Sequence, residues 1–290
     1  MTTTYEITYS THNTYEEDVR EALFSFLVIP CQDETQKLKS LRFSNSLQLE
    51  AFQYQNTFGF EVAQLYNARP FKELGFQMIA TVEKEHRFLP FGNYYSLQEE
   101  QSLLQDYNFY IEHHLFLGTG YYTTIDQVYT DKVLIRQENE SVYNYLNRLN
   151  LYVYQMLEFD PEPTHVCTTV NEVLKLGKGV CQDFTHLFIA LARRNKIPCR
   201  YVSGYLNQGL NLTGTAVMHA WAEAFIPGFG WQGYDPTNNL LADFNYIKVA
   251  HGCDYNDCSP LKGVLKTNGR QKTTYGVKVY PLLLSAHTEQ

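Results

Sequence analysis

The chain has 290 residues and carries 31 acidic against 23 basic side chains, a net charge of −8. That length suits two modest domains, each able to bury its own core. The acidic balance, with no Lys/Arg-rich cluster, leaves no footprint for nucleic acid, and no apolar run approaches the ~20 residues that span a bilayer.

The start, MTTTYEITYS, lacks the charged and apolar stretches of a signal peptide, which points to a cytoplasmic protein. From Tyr5 to about Phe116 the text alternates, as in YEITYS, LRFSN, EVAQLY and FQMIATVE, with polar breaks between. This predicts several antiparallel strands, a small sandwich over residues 1–117. Residues 118–124, GTGYYTT, read as a linker into a second domain over 118–290. There, residues 138–159 show helical spacing through Val142, Tyr145, Leu146, Leu149, Tyr152, Val153 and Met156. A shorter helix over 169–176 leads into a Gly177-Lys178-Gly179 turn.

Cys181 follows that turn and opens a run in which Phe184, Leu187, Phe188, Leu191 and Ala192 recur on one helical face, with Pro198 beyond the end. The first turn of a helix has unpaired N–H groups and partial positive charge, a setting that favours ionisation of a thiol. A thiolate is the nucleophile, so a catalytic cysteine belongs at such a place; the plainer reading is a small buried hydrophobe.

Nucleophilic catalysis needs a base and a third group to orient it. His219 opens a strand-like HAWAEAFI, with Ala220, Ala222, Ala224 and Ile226 on one face and His219, Trp221, Glu223 and Phe225 on the other. A Pro227-Gly228-Phe229-Gly230 turn follows, then WQGYDPT, which holds Asp235. An odd loop, with Ile226 opposite Gly230, makes His219 and Asp235 same-face diagonal neighbours roughly 7–8 Å apart at Cα. A four-residue loop without a bulge puts them on opposite faces. Downstream, KTTYGVKVYPLLL reads as a closing strand. With a helical segment first and strands later, the second domain is of α+β class.

The other candidates are weaker. Six cysteines, at 31, 167, 181, 199, 253 and 258, form no disulfide framework. Cys253 and Cys258 with His251 invite a zinc reading, but Asp254, Tyr255 and Asp257 make a polar loop the simpler account. His186 lies off the Cys181 line of its helix and reads as a packing or hydrogen-bonding residue.

The segments GVCQDFTHLFIALARRNKIPCRYVSGYL, MHAWAEAFIPGFGWQGYDPTNN and GCDYNDCSPLKG resemble the core of the transglutaminase-like superfamily, most of all its bacterial branch, often described as cysteine proteases. The resemblance runs from about Thr164 to Gly263; YEITYSTHNTY and NTFGFEVAQLY resemble more weakly the β-rich region that precedes this core in bacteria. It implies a papain-like fold, with a helix carrying the nucleophile packed on an antiparallel sheet and a β-sandwich-like domain ahead of it. It also implies a triad of Cys181 as nucleophile, His219 as base and Asp235 as orienting carboxylate. The chain departs from the animal enzymes in having Gln182 where they carry tryptophan. It departs from papain-type proteases in having Lys175 where they place an oxyanion-hole glutamine.

The activity implied is acyl transfer on peptide or protein amides through a cysteine thioester, with hydrolysis favoured over transamidation and no cofactor or metal required. The expected partner is a peptide or protein substrate, not nucleic acid or a membrane. The rival readings are a catalytically silent peptide-binding module and a zinc site formed by Cys181, His219 and Asp235.

Overall fold

A computed structural model describes residues 1–86, 95–210 and 212–282. The alternating N-terminal text becomes six strands: β1 (Thr2–Val19), β2 (Ala22–Phe26), β3 (Gln36–Asn45), β4 (Phe52–Gln55), β5 (Glu61–Asn67) and β6 (Phe71–Glu85). Along β1 the side chains of Tyr5, Ile7 and Tyr9 are buried while their neighbours are not, the two-residue period of a strand with one face on a core. Residues read from the sequence as the end of the strand-rich region instead form two helices, α1 (Leu97–Gln105) and α2 (Tyr107–His113). The Ser96 hydroxyl accepts from the Glu99 N–H while Glu99 reaches back to Ser96, a capping box that closes the first turn of α1.

Residues 118–124 are packed rather than a free linker: Tyr122 is buried with its ring stacked on His186 at 4.6 Å, and Arg193 donates to the Gly118 carbonyl at 2.8 Å. The long helix is α3 (Val142–Met156), with Ser141 as its N-cap. Then come β7 (Glu158–Phe159), α4 (Val170–Leu176), β8 (Lys178–Gly179) and α5 (Cys181–Arg194). Strands β9 (Cys199–Leu206), β10 (His219–Ile226), β11 (Gly230–Asp235), β12 (Leu240–Leu241) and β13 (Tyr246–Gly252) follow, then the short α6 (Tyr255–Cys258), β14 (Leu261–Leu265) and β15 (Gln271–Pro281).

Strands β9 to β13 make one antiparallel sheet in the order β12-β11-β10-β9-β13. Helix α5 lies against β9 and β10, with Phe184, Leu187, Phe188 and Leu191 in the same core as Ala220, Ala222 and Ala224. The alanine face of β10 is what lets the helix come close. This is the α+β arrangement expected, the helix that carries Cys181 seated on an antiparallel sheet.

The sandwich has two four-stranded sheets, β15-β1-β6-β3 and β14-β2-β5-β4. Its last members come from the far end of the chain: Tyr5 pairs with Pro281 and Phe26 with Leu261. The chain therefore crosses back over the position near residue 118 where the sequence suggests a boundary, because β1 and β2 would otherwise each leave an unpaired edge. The closing strand ends at Pro281, and Leu283 and Leu284 lie outside the described residues. A second tie joins the two parts, where the Gln36 amide donates to the Lys248 carbonyl at 2.7 Å and accepts from its N–H at 2.9 Å. Among the described residues no helix is long and apolar enough to cross a membrane.

Candidate active site

Cys181 is the first residue of α5 and is half-buried. The helix start is fixed by Asp183, whose carboxylate accepts from the Val180 N–H at 2.8 Å. Gly179 makes room for it, since a Cβ there would lie 2.6 Å from Asp183 Oδ2. Neighbouring Gln182 is turned away, donating to the Val166 carbonyl at 3.1 Å. The N–H groups of Asp183 and Phe184 both donate to the Val180 carbonyl, at 2.8 Å and 3.2 Å, while those of Cys181 and Gln182 precede the intrahelical ladder.

His219 opens β10 and Asp235 closes β11. Ile226 pairs with Gly230, so the loop holds three residues, the odd register that brings both side chains to one face. Gly228 (φ 77°) and Gly230 (φ 96°) take the left-handed conformations of that turn. His219 Nε2 and Asp235 Oδ2 are 2.8 Å apart, and neither side chain is exposed.

Asp235 is held by more than the histidine. Its Oδ2 also accepts from Tyr246 Oη at 2.8 Å and Asn238 Nδ2 at 2.8 Å. Its Oδ1 accepts from the N–H groups of Thr237 at 3.0 Å and Asn238 at 3.3 Å. Burial opposes its charge, but His219, Asn238 and Tyr246 outweigh that and hold the carboxyl below its usual range. Burial likewise pushes the His219 imidazole down. The Asp235 charge and hydrogen bond, with the Cys181 thiol beside the ring, win and raise it to about 10. His219 Nδ1 has no conventional hydrogen-bond partner among the described residues.

Trp221, on the same face of β10, packs edge-on against Tyr246 at 5.4 Å between ring centres. It lies directly over Gly204, where a Cβ would sit 2.6 Å from its ring. Further along that face Glu223 takes Arg200 at 2.7 Å and Lys248 at 2.6 Å, and Arg200 lies 4.0 Å above the Trp231 ring.

The remaining candidates separate in space. Cys253 points to the Leu115 carbonyl, Cys258 is buried beneath Tyr201, and His251 packs edge-on against Phe60. Among the described residues no group of three or more His, Cys, Asp or Glu side chains is placed to hold a metal ion. His186 is buried, accepts from the Tyr255 N–H at 3.2 Å and is pushed down by burial and Arg193 to about 3, a neutral packing residue.

The structure thus brings Cys181, His219 and Asp235 together and adds Asn238 and Tyr246. Asn238 carries a sequence signal, the Asp-Pro-Thr-Asn turn in which an aspartate bonds the backbone two and three residues on. Tyr246 carries none, for it arrives from a strand 11 residues away.

Comparison with known proteins bears on the fold that carries these residues. Residues 130–236, which hold all three side chains, match the model of the transglutaminase-like superfamily. This segment belongs to that superfamily. The Mycobacterium tuberculosis protein Rv2569c is 42% identical over 125 residues, covering 40% of this chain and 40% of that protein. The Mycobacterium leprae protein ML0607 is 40% identical over 119 residues, covering 39% and 41%. The chain therefore spans about two fifths of the length of these relatives. A Cytophaga hutchinsonii crystal structure, provisionally designated a cysteine protease, shares the fold with a TM-score of 0.77 at 22% identity, over 98% of this chain and 92% of that one.

Proposed function

We propose that this chain is a thiol-dependent acyl hydrolase acting on peptide or protein amides. The observation that carries the reading is the buried His219–Asp235 pair beside a cysteine at a helix start, within a transglutaminase-like core. In the first step Cys181 sulfur bonds to the amide carbonyl carbon, and the C–N bond breaks to leave a thioester. The thiol proton, already held on His219 as the sulfur attacks, passes to the departing amine. In the second step water bonds to the same carbon while its proton goes to His219, and the C–S bond breaks to release the acid and leave the Cys181 thiolate beside the protonated ring. Asp235 holds the imidazole orientation and favours its protonated form throughout. The Cys181 N–H is the first donor to the oxyanion. Acid–base work of this kind contributes roughly 10²–10⁴-fold.

A cytoplasmic setting belongs to the same proposal and is supported by six unpaired cysteines, which a reducing compartment maintains. The test is alkylation by iodoacetamide across pH, on wild type and His219→Ala, with each modified cysteine located by mass spectrometry. Cys181 is expected to react fastest of the six and to slow roughly tenfold or more in the variant. Reaction of Cys181 no faster than the other five, unaffected by His219→Ala, would sink the reading in favour of a silent binding module.

A further inference from the structure

To cleave an amide, the ring must give its proton to the departing nitrogen, which therefore has to come within hydrogen-bond reach of it. Asp235 takes His219 Nε2 at 2.8 Å, so the nitrogen that meets the amine is Nδ1. The chain passes that atom at Gly214, where a Cβ would stand 2.5 Å from Nδ1 and 3.1 Å from Cε1. Gly214, with φ at +89°, adds no side chain to the approach. Its half-exposed backbone borders the edge of the ring at which the amine has to arrive.

The segment around Gly214 is a wall held on both sides of that residue. The Thr213 N–H donates to Asn238 Oδ1 at 3.0 Å, and Asn238 Nδ2 donates to the Thr213 carbonyl at 3.2 Å. Leu212 packs on the cluster of Val202, Leu206, Trp221 and Tyr246. Strand β15 backs the far end: the Val277 N–H donates to the Ala216 carbonyl at 3.2 Å, and the Gln208 amide donates to the carbonyls of Thr215 and Val277, at 2.8 Å each. Residues 207–218, NQGLNLTGTAVM, hold no charged side chain, and Ala216 and Val217 are exposed. Lys278 is exposed on the outward face of β15, between the buried Val277 and Val279.

We propose that residues 213–217 form the leaving-group side of the substrate site and select an amine that carries an uncharged, small or aliphatic side chain. This assignment rests on the reading of Cys181 and His219 as a working pair, and it names the class of residue just after the cleaved bond. A charged side chain laid along this wall would give up water with no counter-ion to meet it, whereas an aliphatic one meets Ala216 and Val217. The sandwich thereby gains a part in recognition, because β15 holds the wall in place.

The test exposes a library of acetylated peptides, randomised at every position, to full-length wild type, Val217→Glu and Val217→Lys, with Cys181→Ala as the blank. New amino termini are read by mass spectrometry. Val217 is 44% exposed and lies within about 7 Å of His219 at Cα. That is inside the screening length of about 8 Å, so a charge there acts on the leaving group whatever its rotamer. Wild type is expected to disfavour Asp, Glu, Lys and Arg just after the cut by roughly threefold or more. Val217→Glu should raise Lys and Arg at that position and Val217→Lys should raise Asp and Glu, each by roughly threefold, with the pattern before the bond unchanged. Opposite shifts from opposite charges separate selection from mere damage to the fold. Shifts that fall only before the bond, or none in either variant, overturn the assignment, as does a wild type that prefers charged residues after the bond. In those cases cuts that vanish in Cys181→Ala leave the hydrolase reading standing. A wild type that makes no Cys181-dependent cut overturns that reading and the assignment with it.

Discussion

His219 and Asp235 meet at 2.8 Å across the β10–β11 hairpin because the loop between the strands has three residues, with Ile226 opposite Gly230. One residue more, without a bulge, would turn Asp235 into the opposite face of the sheet. The geometry of this pair depends on a turn remote from both side chains.

Asp235→Asn tests the pair through pH. Because the folded His219 is raised from 6.5 to about 10, its contribution to stability is fully present below pH 6.5 and is lost as pH rises toward 10. In the variant the buried imidazole has no anion beside it and this loss disappears. Thermal melts between pH 6 and 10 should show the wild-type Tm falling more steeply than that of Asp235→Asn; parallel curves would refute the ion pair.

Tyr246→Phe removes one donor to Asp235 while leaving the ring that packs on Trp221. A hydrogen bond to a charged group is worth about 1.5–3 kcal/mol. Urea unfolding should show a loss in that range, and a loss under half a kilocalorie would mean that the hydroxyl is not needed to hold the carboxylate.

Glu223→Gln leaves Arg200 and Lys248 without their shared anion in a buried setting. Breaking such an arrangement costs about 3–5 kcal/mol. Burial raises the Glu223 carboxyl, but Lys248 and Arg200 outweigh it and draw it down to about 2. The contribution of Glu223 is therefore complete above its unfolded value and fades as pH falls toward 2. Unfolding midpoints for the two proteins should converge in acid; a constant gap from pH 7 to 3 would contradict this.

Gly204→Ala places a methyl group against Trp221 and the backbone of β13. Overpacking a tight site typically costs 1–3 kcal/mol. Because Gly204 pairs directly with His219, the variant should also slow Cys181 alkylation. Wild-type stability together with a wild-type rate would show that the sheet has slack beneath Trp221.

The parts legible in the sequence are those fixed by local pattern. The face of α5, the place of Cys181 at its start and the hairpin follow from spacing within 20 residues or so, although the sequence leaves the register open between an odd and a four-residue loop, and the three catalytic candidates lie on those elements. What was missed depends on contacts between distant segments or on a local cue outweighed by another. Tyr246 reaches Asp235 only because β13 crosses to the far edge of the sheet. The helix at Leu97–Gln105 had its signal in Ser96 and Glu99, but the alternation upstream suggested strands. No local pattern in β15 says that it will pair with β1.

That pairing has a consequence for synthesis. Strand β1 leaves the ribosome ahead of the other described strands and can find β6 early, yet its other edge waits for Gln271–Pro281, more than 250 residues later. The sandwich is completed only by β14 and β15, a high-contact-order closure that is slow and leaves an open strand edge meanwhile. Val277, whose N–H donates to the Ala216 carbonyl just ahead of His219, sits in β15. The hydrogen bond into the segment just ahead of His219 therefore forms only once β15 has been made, later than the strands that carry His219 and Asp235.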